Sequence, residues 1–388
     1  MVTLTSADNA LKTLYLGVVA DQLNTAVNPL LARFEQTSSD VWGKEIRKLA
    51  PFGINGGIGA GTEDGELPTA AGNNYAQFVL TLKNLYGTID ISDKAIRASE
   101  SSSGAFVNLL EAEMEGLIKA SKFNFGRMLF GDGSGTLCKV TGANGNNITV
   151  DSVNNLIEGM IVDILGGSSK STVTYPRRIV DVDRANKTIT LSGAPIGAGT
   201  ISSGDLLTVQ GSYNKEITGL GAIFGDSDTL YGLTRASNKW LTPYKTTSST
   251  LTDVTIQKAI DTLEEVAGSV ADFIVCSGGV KRAYQDYLIT NRTNIDVMNL
   301  QGGYKAISYN GIPVVSDRFC PAGTMYILNS GDFKLHQLCD WRWLEGDDGR
   351  IIKQVANKPV YTATLVKYAD LICDRPIGQA MISGITEA

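Results

Sequence analysis

The sequence predicts an α+β protein with a small β-barrel domain inserted midway along the chain. Three observations carry this. Residues 103–130 hold a long stretch of helical apolar periodicity. Residues 137–210 break into short alternating strands bounded by turn residues. Near the N-terminus, a connection of about 25 residues rich in glycine joins two strand patterns, far longer than a compact domain uses. At 388 residues the chain exceeds one compact core and divides into roughly two or three lobes.

Ser6 to Glu35 reads as a helix. Leu11, Leu14, Tyr15, Val18, Val19 and Leu23 recur at three- and four-residue spacing, Ser6 or Asp8 can cap it, and Pro29 kinks or restarts it. So wide an apolar stripe at a chain end needs a partner surface, which makes Leu11, Leu14 and Val18 candidate contact residues. Lys44–Ala50 and Ala76–Lys83 follow as strands, the second alternating at Phe78, Leu80 and Leu82. As a hairpin they project far from any core. Glu63, Asp64 and Glu66 form an acidic group near the tip and are further candidate contact residues.

Ser103 to Phe130 places Phe106, Leu110, Met114, Leu117, Phe125 and Met128 on one face, with Glu111, Glu115, Lys119 and Lys122 opposite. Ser103 caps it and Gly131–Gly135 stops it, giving a spine roughly 40 Å long. In the inserted block, Asn147–Val150 leads to Gly159–Ile164, and Arg178–Val182 turns back through Thr188–Leu191 before Gly204–Val209. Its two halves echo each other, as a small self-contained barrel would. Beyond it, Thr252 starts a helix with Ile256, Ala259, Ile260 and Leu263 inward. Asp272–Ser277 is a buried strand and Gly279–Thr290 a second helix. Strands follow at Ile312–Ser316, Met325–Leu328, Phe333–Leu338 and Val360–Cys373.

Composition removes several function classes. The net charge of −6 argues against a DNA reader, since phosphate contacts demand a basic excess. No apolar stretch has the length to span a bilayer, and the start lacks the pattern of a signal peptide, so folding in a cytoplasm is expected. Cys138, Cys276, Cys320, Cys339 and Cys373 are scattered, odd in number and never in a C-x-x-C pair, as small buried apolar residues would be. The single histidine, His336, reads as a solvated residue on a strand face. Gly167–Thr172 lacks the glycine before the lysine of a phosphate loop. Gly57, Gly59 and Gly61 miss the dinucleotide spacing, and Asp347 and Asp348 are adjacent rather than opposed. No catalytic, metal or cofactor site is expected.

The order of parts resembles the Hong Kong 97-like major capsid proteins of tailed bacteriophages. Leu82–Ser99 is similar to that family's exit from its extended hairpin. Phe123–Gly135 is similar to the end of its spine helix, Tyr309–Asp317 with Met325–Asn329 to its axial strands, and Asp370–Ala380 with Met381–Ile385 to its final strand. The likeness covers most of the chain except Leu137–Gln210. It implies an N-terminal arm (1–41), an extended hairpin loop (42–90), a spine helix and peripheral domain (91–135), the inserted β-domain (136–211), a peripheral return (212–254), an axial domain (255–355) and a closing strand of the peripheral domain (356–388).

The implied function is self-assembly, through pentamers and hexamers, into an icosahedral head shell around double-stranded DNA. The implied setting is a virion assembled in bacterial cytoplasm, with separate scaffolding, portal and decoration proteins as partners and no sequence-specific DNA binding. The alternatives are an encapsulin-like shell around a cargo enzyme and, from another class, a carbohydrate-active enzyme with a β-domain. Some members of the family join subunits by a bond from a hairpin lysine to an asparagine. Here Lys44, Lys48 and Lys83 stand at the hairpin base and none lies from Leu49 to Leu82, so a noncovalent shell is expected.

Overall fold

The computed structural model describes residues 28–38, 41, 45–100, 109–167, 170–291, 297–299, 305–345 and 351–388. Leu11, Leu14 and Val18 lie outside them. The expected end of the first helix at Glu35 needs correction. Asn28 Oδ1 accepts from the N–H groups of Leu30 (2.9 Å) and Leu31 (3.2 Å), a single 3-10 turn spans Leu31–Arg33, and Glu35–Thr37 is a strand parallel to Lys334–His336. The cause is burial. Leu30 and Phe34 sink into the body, Phe34 stacked on Phe333 at 4.7 Å, and this holds the chain against a sheet edge.

Strands β1 (Ile46–Phe52) and β2 (Asn74–Leu80) form an antiparallel hairpin, registered from Ile46 opposite Leu80 to Phe52 opposite Asn74. Residues 53–73 between them have no regular structure and are almost wholly exposed. The chain runs on into β3 (Lys83–Ser92) and then α1 (Asp93–Glu100), where Ser92 Oγ accepts from the Ala95 N–H at 3.2 Å. Helix α2 (Leu109–Met128) is the described part of the expected spine; Ser103 and Phe106 lie outside the described residues. It packs on β3 at Gly87, where a Cβ would meet Leu117 at 3.0 Å, so glycine sets how close helix and sheet approach.

Six longer strands follow, β4 (Thr136–Asn144), β5 (Asn147–Val150), β6 (Ile161–Gly166), β7 (Arg177–Asp183), β8 (Thr188–Leu191) and β9 (Leu206–Val209), with the two-residue strand Ser171–Thr172 on the edge of β6. Because β9 pairs with both β4 and β6, the pairing path β4-β5-β8-β7-β6-β9 returns to β4. Alternating residues such as Val140, Ile148, Val162, Ile179, Ile189 and Leu207 fill a core separate from the rest of the chain.

Beyond the ring, α3 (Asp253–Ala267), β10 (Phe273–Cys276), α4 (Gly278–Thr290), β11 (Ile312–Ser316) and β12 (Met325–Leu328) make a second α/β unit. Thr252 Oγ1 accepts from the Thr255 N–H at 3.2 Å and Ser277 Oγ from the Val280 N–H at 3.4 Å, so each helix starts on a side-chain cap. Finally β13 (Phe333–Trp343), β14 (Val360–Cys373) and β15 (Ala380–Ser383) complete two sheets. In one, β14 lies between β13 and β3. The other, seven-stranded, runs Tyr244–Thr247, β15, β12, β10, β11, Lys305–Tyr309, Val297–Asn299.

Sheet membership crosses the segments expected from the sequence. β13, within 255–355, joins the sheet of β14, while Tyr244–Thr247 and β15, from segments on either side, join the sheet of α3 and α4. His336 also needs correction: it is 1% exposed. It sits opposite Asp370 of β14 and beside Thr37, where the start of β13 is covered on both faces, so Leu335 and His336 are buried together and strand alternation no longer marks a wet side. Cys138, Cys276, Cys320 and Cys373 are buried and Cys339 is half-buried; burial pushes the Cys276 thiol up to about 12.

Candidate assembly surface

The hairpin is held at its base and open beyond it. Phe78 is fully buried, with its ring 5.1 Å from Tyr231 and 5.8 Å from Trp240, and Phe52 stacks on Trp240 at 5.3 Å. Tyr231 and Gly232 both take left-handed backbone (φ 52° and 81°), a turn that presents the Tyr231 carbonyl to the Val79 N–H at 3.0 Å. The Tyr231 hydroxyl accepts from the Cys373 N–H at 2.9 Å, and burial raises its pKa well above the ordinary tyrosine value. Lys48 Nζ pairs with Asp374 at 2.7 Å. These contacts clamp the hairpin root to β14.

Past the root, the two arms stay together without a ladder. Asn55 Nδ2 donates to Asn73 Oδ1 (3.1 Å), and Asn73 Nδ2 to the Tyr75 hydroxyl (3.2 Å). At Gly57 a Cβ would come within 3.1 Å of the Ala71 backbone nitrogen, and at Gly59 within 3.1 Å of the Pro68 ring, so both glycines permit close approach. The tip turns at Thr62–Gly65, with Gly65 N–H donating to Thr62 O at 3.2 Å. Glu63, Asp64 and Glu66 are gathered there, all exposed.

The same limb carries an apolar surface that stands exposed among the described residues. Ile54, Ile58 and Leu67 are 77%, 78% and 90% exposed, and Leu49 and Tyr75 are also open. Burying one such aliphatic side chain is worth roughly 1.5–3 kcal/mol. Reading the sequence for charge picked out the acids and missed these residues. Their signal was present, as isolated Ile and Leu in a glycine-rich segment with no strand or helix period to seat them.

A second structured region is the neck of the strand ring. Gly133, Gly135, Gly211 and Asn214 all take left-handed backbone, and the Asn214 N–H donates to Ser134 O at 2.8 Å. Beneath it Arg127 of α2 forms a buried ion pair with Glu216 and donates to Asn124 Oδ1 at 3.0 Å. Asp370 accepts from the Thr218 N–H at 2.7 Å; burial pushes its carboxyl up to about 6 despite that bond. The neck is thus tied to the spine and the β14 sheet by buried charge.

No family model and no curated protein matches the chain. Solved structures do. A chain of the cyanophage A-1(L) capsid asymmetric unit is similar at a TM-score of 0.57 and 14% identity, over 96% of this chain and 98% of that one. A chain of the holo-SrpI encapsulin complex of Synechococcus elongatus is similar at 0.52 and 10%, over 99% and 96%. A chain of a native GTA particle capsid is similar at 0.51 and 10%, over 99% of each. These likenesses run nearly end to end, and the chain shares its mixed α/β fold with these capsid and encapsulin chains.

Proposed function

We propose that the chain is the major capsid protein of a tailed bacteriophage, self-assembling through pentamers and hexamers into the icosahedral shell that encloses double-stranded DNA. The observation that carries this reading is the hairpin: a limb clamped at its root, bearing exposed Ile54, Ile58 and Leu67, on a shell-protein fold. Such a limb is stable when it lies on a neighbour, and a modest contact repeated around a closed lattice gives large cooperative stability. Glu63, Asp64 and Glu66 meet basic groups there, and the stripe of Leu11, Leu14 and Val18 packs on shell elements.

In this reading the residue ranges named for arm, hairpin, peripheral, inserted and axial parts stand as the division of the subunit. The ring of strands at 136–211 is an inserted β-barrel that decorates the shell or docks separate proteins. Scaffolding and portal proteins take part in assembly inside the host cell, and DNA is enclosed without sequence readout, in keeping with the net charge of −6. The likeness to an encapsulin chain supports a second reading, a shell around a cargo protein.

Electron microscopy of the purified full-length protein tests the proposal. Closed shells are expected, and particles recovered from the natural source should contain nuclease-protected DNA. Protein cargo in place of DNA would favour the encapsulin reading; monomers at every concentration would overturn both.

A further inference from the structure

Three asparagines precede glycine in the chain, at Asn55–Gly56, Asn144–Gly145 and Asn310–Gly311. In such a pair the glycine nitrogen can add to the asparagine side-chain carbonyl and close a succinimide ring, because glycine has no Cβ to hinder the approach. Ring closure needs backbone angles that neither a strand ladder nor a tight turn supplies. A pair fixed in either reacts only when that region opens.

All three asparagines are exposed, so backbone restraint rather than access to water separates them. Asn144 ends β4 in register with Asn147, and Gly145 takes left-handed backbone (φ 57°) in the tight turn into β5. Asn310 and Gly311 are the central residues of the turn between Lys305–Tyr309 and β11 (φ 47° and 80°), closed by Tyr309 opposite Ile312. Asn310 Nδ2 also donates to Gln257 Oε1 at 3.0 Å. Asn55 has no such frame, because it lies beyond the last ladder pair, Phe52 with Asn74. Its Oδ1 accepts from the Gly57 N–H at 2.9 Å, a bond that bridges Gly56 and draws charge toward the oxygen that turns negative when a nitrogen adds to the carbonyl. Gly56 itself is uncrowded: a Cβ there would meet nothing nearer than the Ala71 Cβ at 3.6 Å.

We propose that Asn55 is a site of spontaneous covalent modification on the limb, converting to aspartyl and isoaspartyl forms while Asn144 and Asn310 persist. The Gly56 nitrogen, losing its proton to a solvent base, forms a bond to Asn55 Cγ. The Cγ–Nδ2 bond breaks, and ammonia leaves with a proton taken from solvent. Water then opens the ring at one carbonyl or the other, and nothing is oxidised or reduced. Either product puts a carboxylate between exposed Ile54 and Ile58 and ends the donation from Asn55 Nδ2 to Asn73 Oδ1 that joins the two arms. A consequence follows that rests on the shell reading: unassembled subunits lose competence with time, while a limb held against a neighbour is protected.

The purified full-length chain is incubated in mildly alkaline buffer, and peptide mass spectrometry with isoaspartyl methyltransferase labelling follows each asparagine. Position 55 is expected to convert about tenfold or more faster than Asn144 or Asn310, and all three at similar rates in denaturant, where ladders no longer protect. Gly56→Ala places its Cβ in ordinary contact with Ala71, so the limb is kept, and it is expected to lose the conversion over the same interval. Equal rates in the folded chain, no conversion at position 55, or a lead for position 55 that persists unchanged in denaturant would overturn the proposal. These readings need no shells. In sedimentation, Asn55→Asp is expected to lower the yield of shells severalfold; an unchanged yield would overturn the consequence for assembly and leave the modification site standing.

Discussion

At the scale of single residues, buried carboxylates are the most informative groups. Asp370 and Asp317 are both sunk in the protein, and burial pushes each carboxyl up to about 6. A raised carboxyl pKa means that the folded state holds its proton more tightly than the unfolded chain does. The stabilisation is fully present below about 4 and is lost as pH rises through about 6. A shift of that size corresponds to on the order of 3 kcal/mol for each group. Asp370→Asn keeps an oxygen to accept from the Thr218 N–H while removing the titration. Chemical denaturation at several pH values is expected to show a flatter stability profile between about 4 and 6 for Asp370→Asn than for the natural chain. Parallel profiles would show that Asp370 does not titrate in this window.

At the scale of elements, the hairpin divides into an anchor and a reach. Ile54→Ser, Ile58→Ser and Leu67→Ser together touch only exposed positions, so circular dichroism and melting temperature are expected to stay within a degree or two while shell formation is lost, as scored by sedimentation. Glu63→Gln, Asp64→Asn and Glu66→Gln together have a smaller expected effect. Exposed pairs contribute about 0–1 kcal/mol each, so assembly should persist but lose much of its dependence on salt concentration. The ring of strands is the third element with its own outcome. Residues 136–211 expressed alone are expected to give a β-type spectrum and a cooperative melt, because their core is separate from that of the body. A coil spectrum would show that the body is needed to fold them.

Elements were legible where the sequence states its own boundaries. Thr252 caps α3, and Ile256, Ala259, Ile260 and Leu263 face inward as their spacing requires, whereas Ser277, read as the end of a strand, caps α4. Non-local pairing was not legible. His336 looks wet in its own strand and is dry because β14 and Glu35–Thr37 flank it from far along the chain. The left-handed turn at Tyr231 and Gly232, which seats Phe78, carries no local mark of its distant partner. At the assembly surface, the acids at the tip were visible as charge, whereas exposed apolar residues resemble core residues until the absence of a core around them is seen.

At the scale of the whole molecule, the fold rests on two α/β units, the β3-β13-β14 sheet crossed by α2 and the seven-stranded sheet of α3 and α4, with a limb and a ring attached. The segments between them pass back and forth, so neither unit is contiguous in sequence, and a C-terminal truncation before Val360 removes β14 from one sheet and β15 from the other. No lysine stands on the hairpin between Leu49 and Leu82, so a lysine-based bond at its far end is not available. Mature particles boiled in detergent are expected to run on a denaturing gel at the 41.4 kDa monomer. A ladder of multimers would reveal covalent joining through some other residue.

The closure of the ring has a practical consequence. Thr136 and Thr208 are register partners, so the chain leaves the body and returns to it at a single doorway. Everything between is, in geometric terms, a cassette. Another folded unit whose termini lie equally close would fit the same doorway, and in the proposed shell such exchanged units would be displayed at regular intervals.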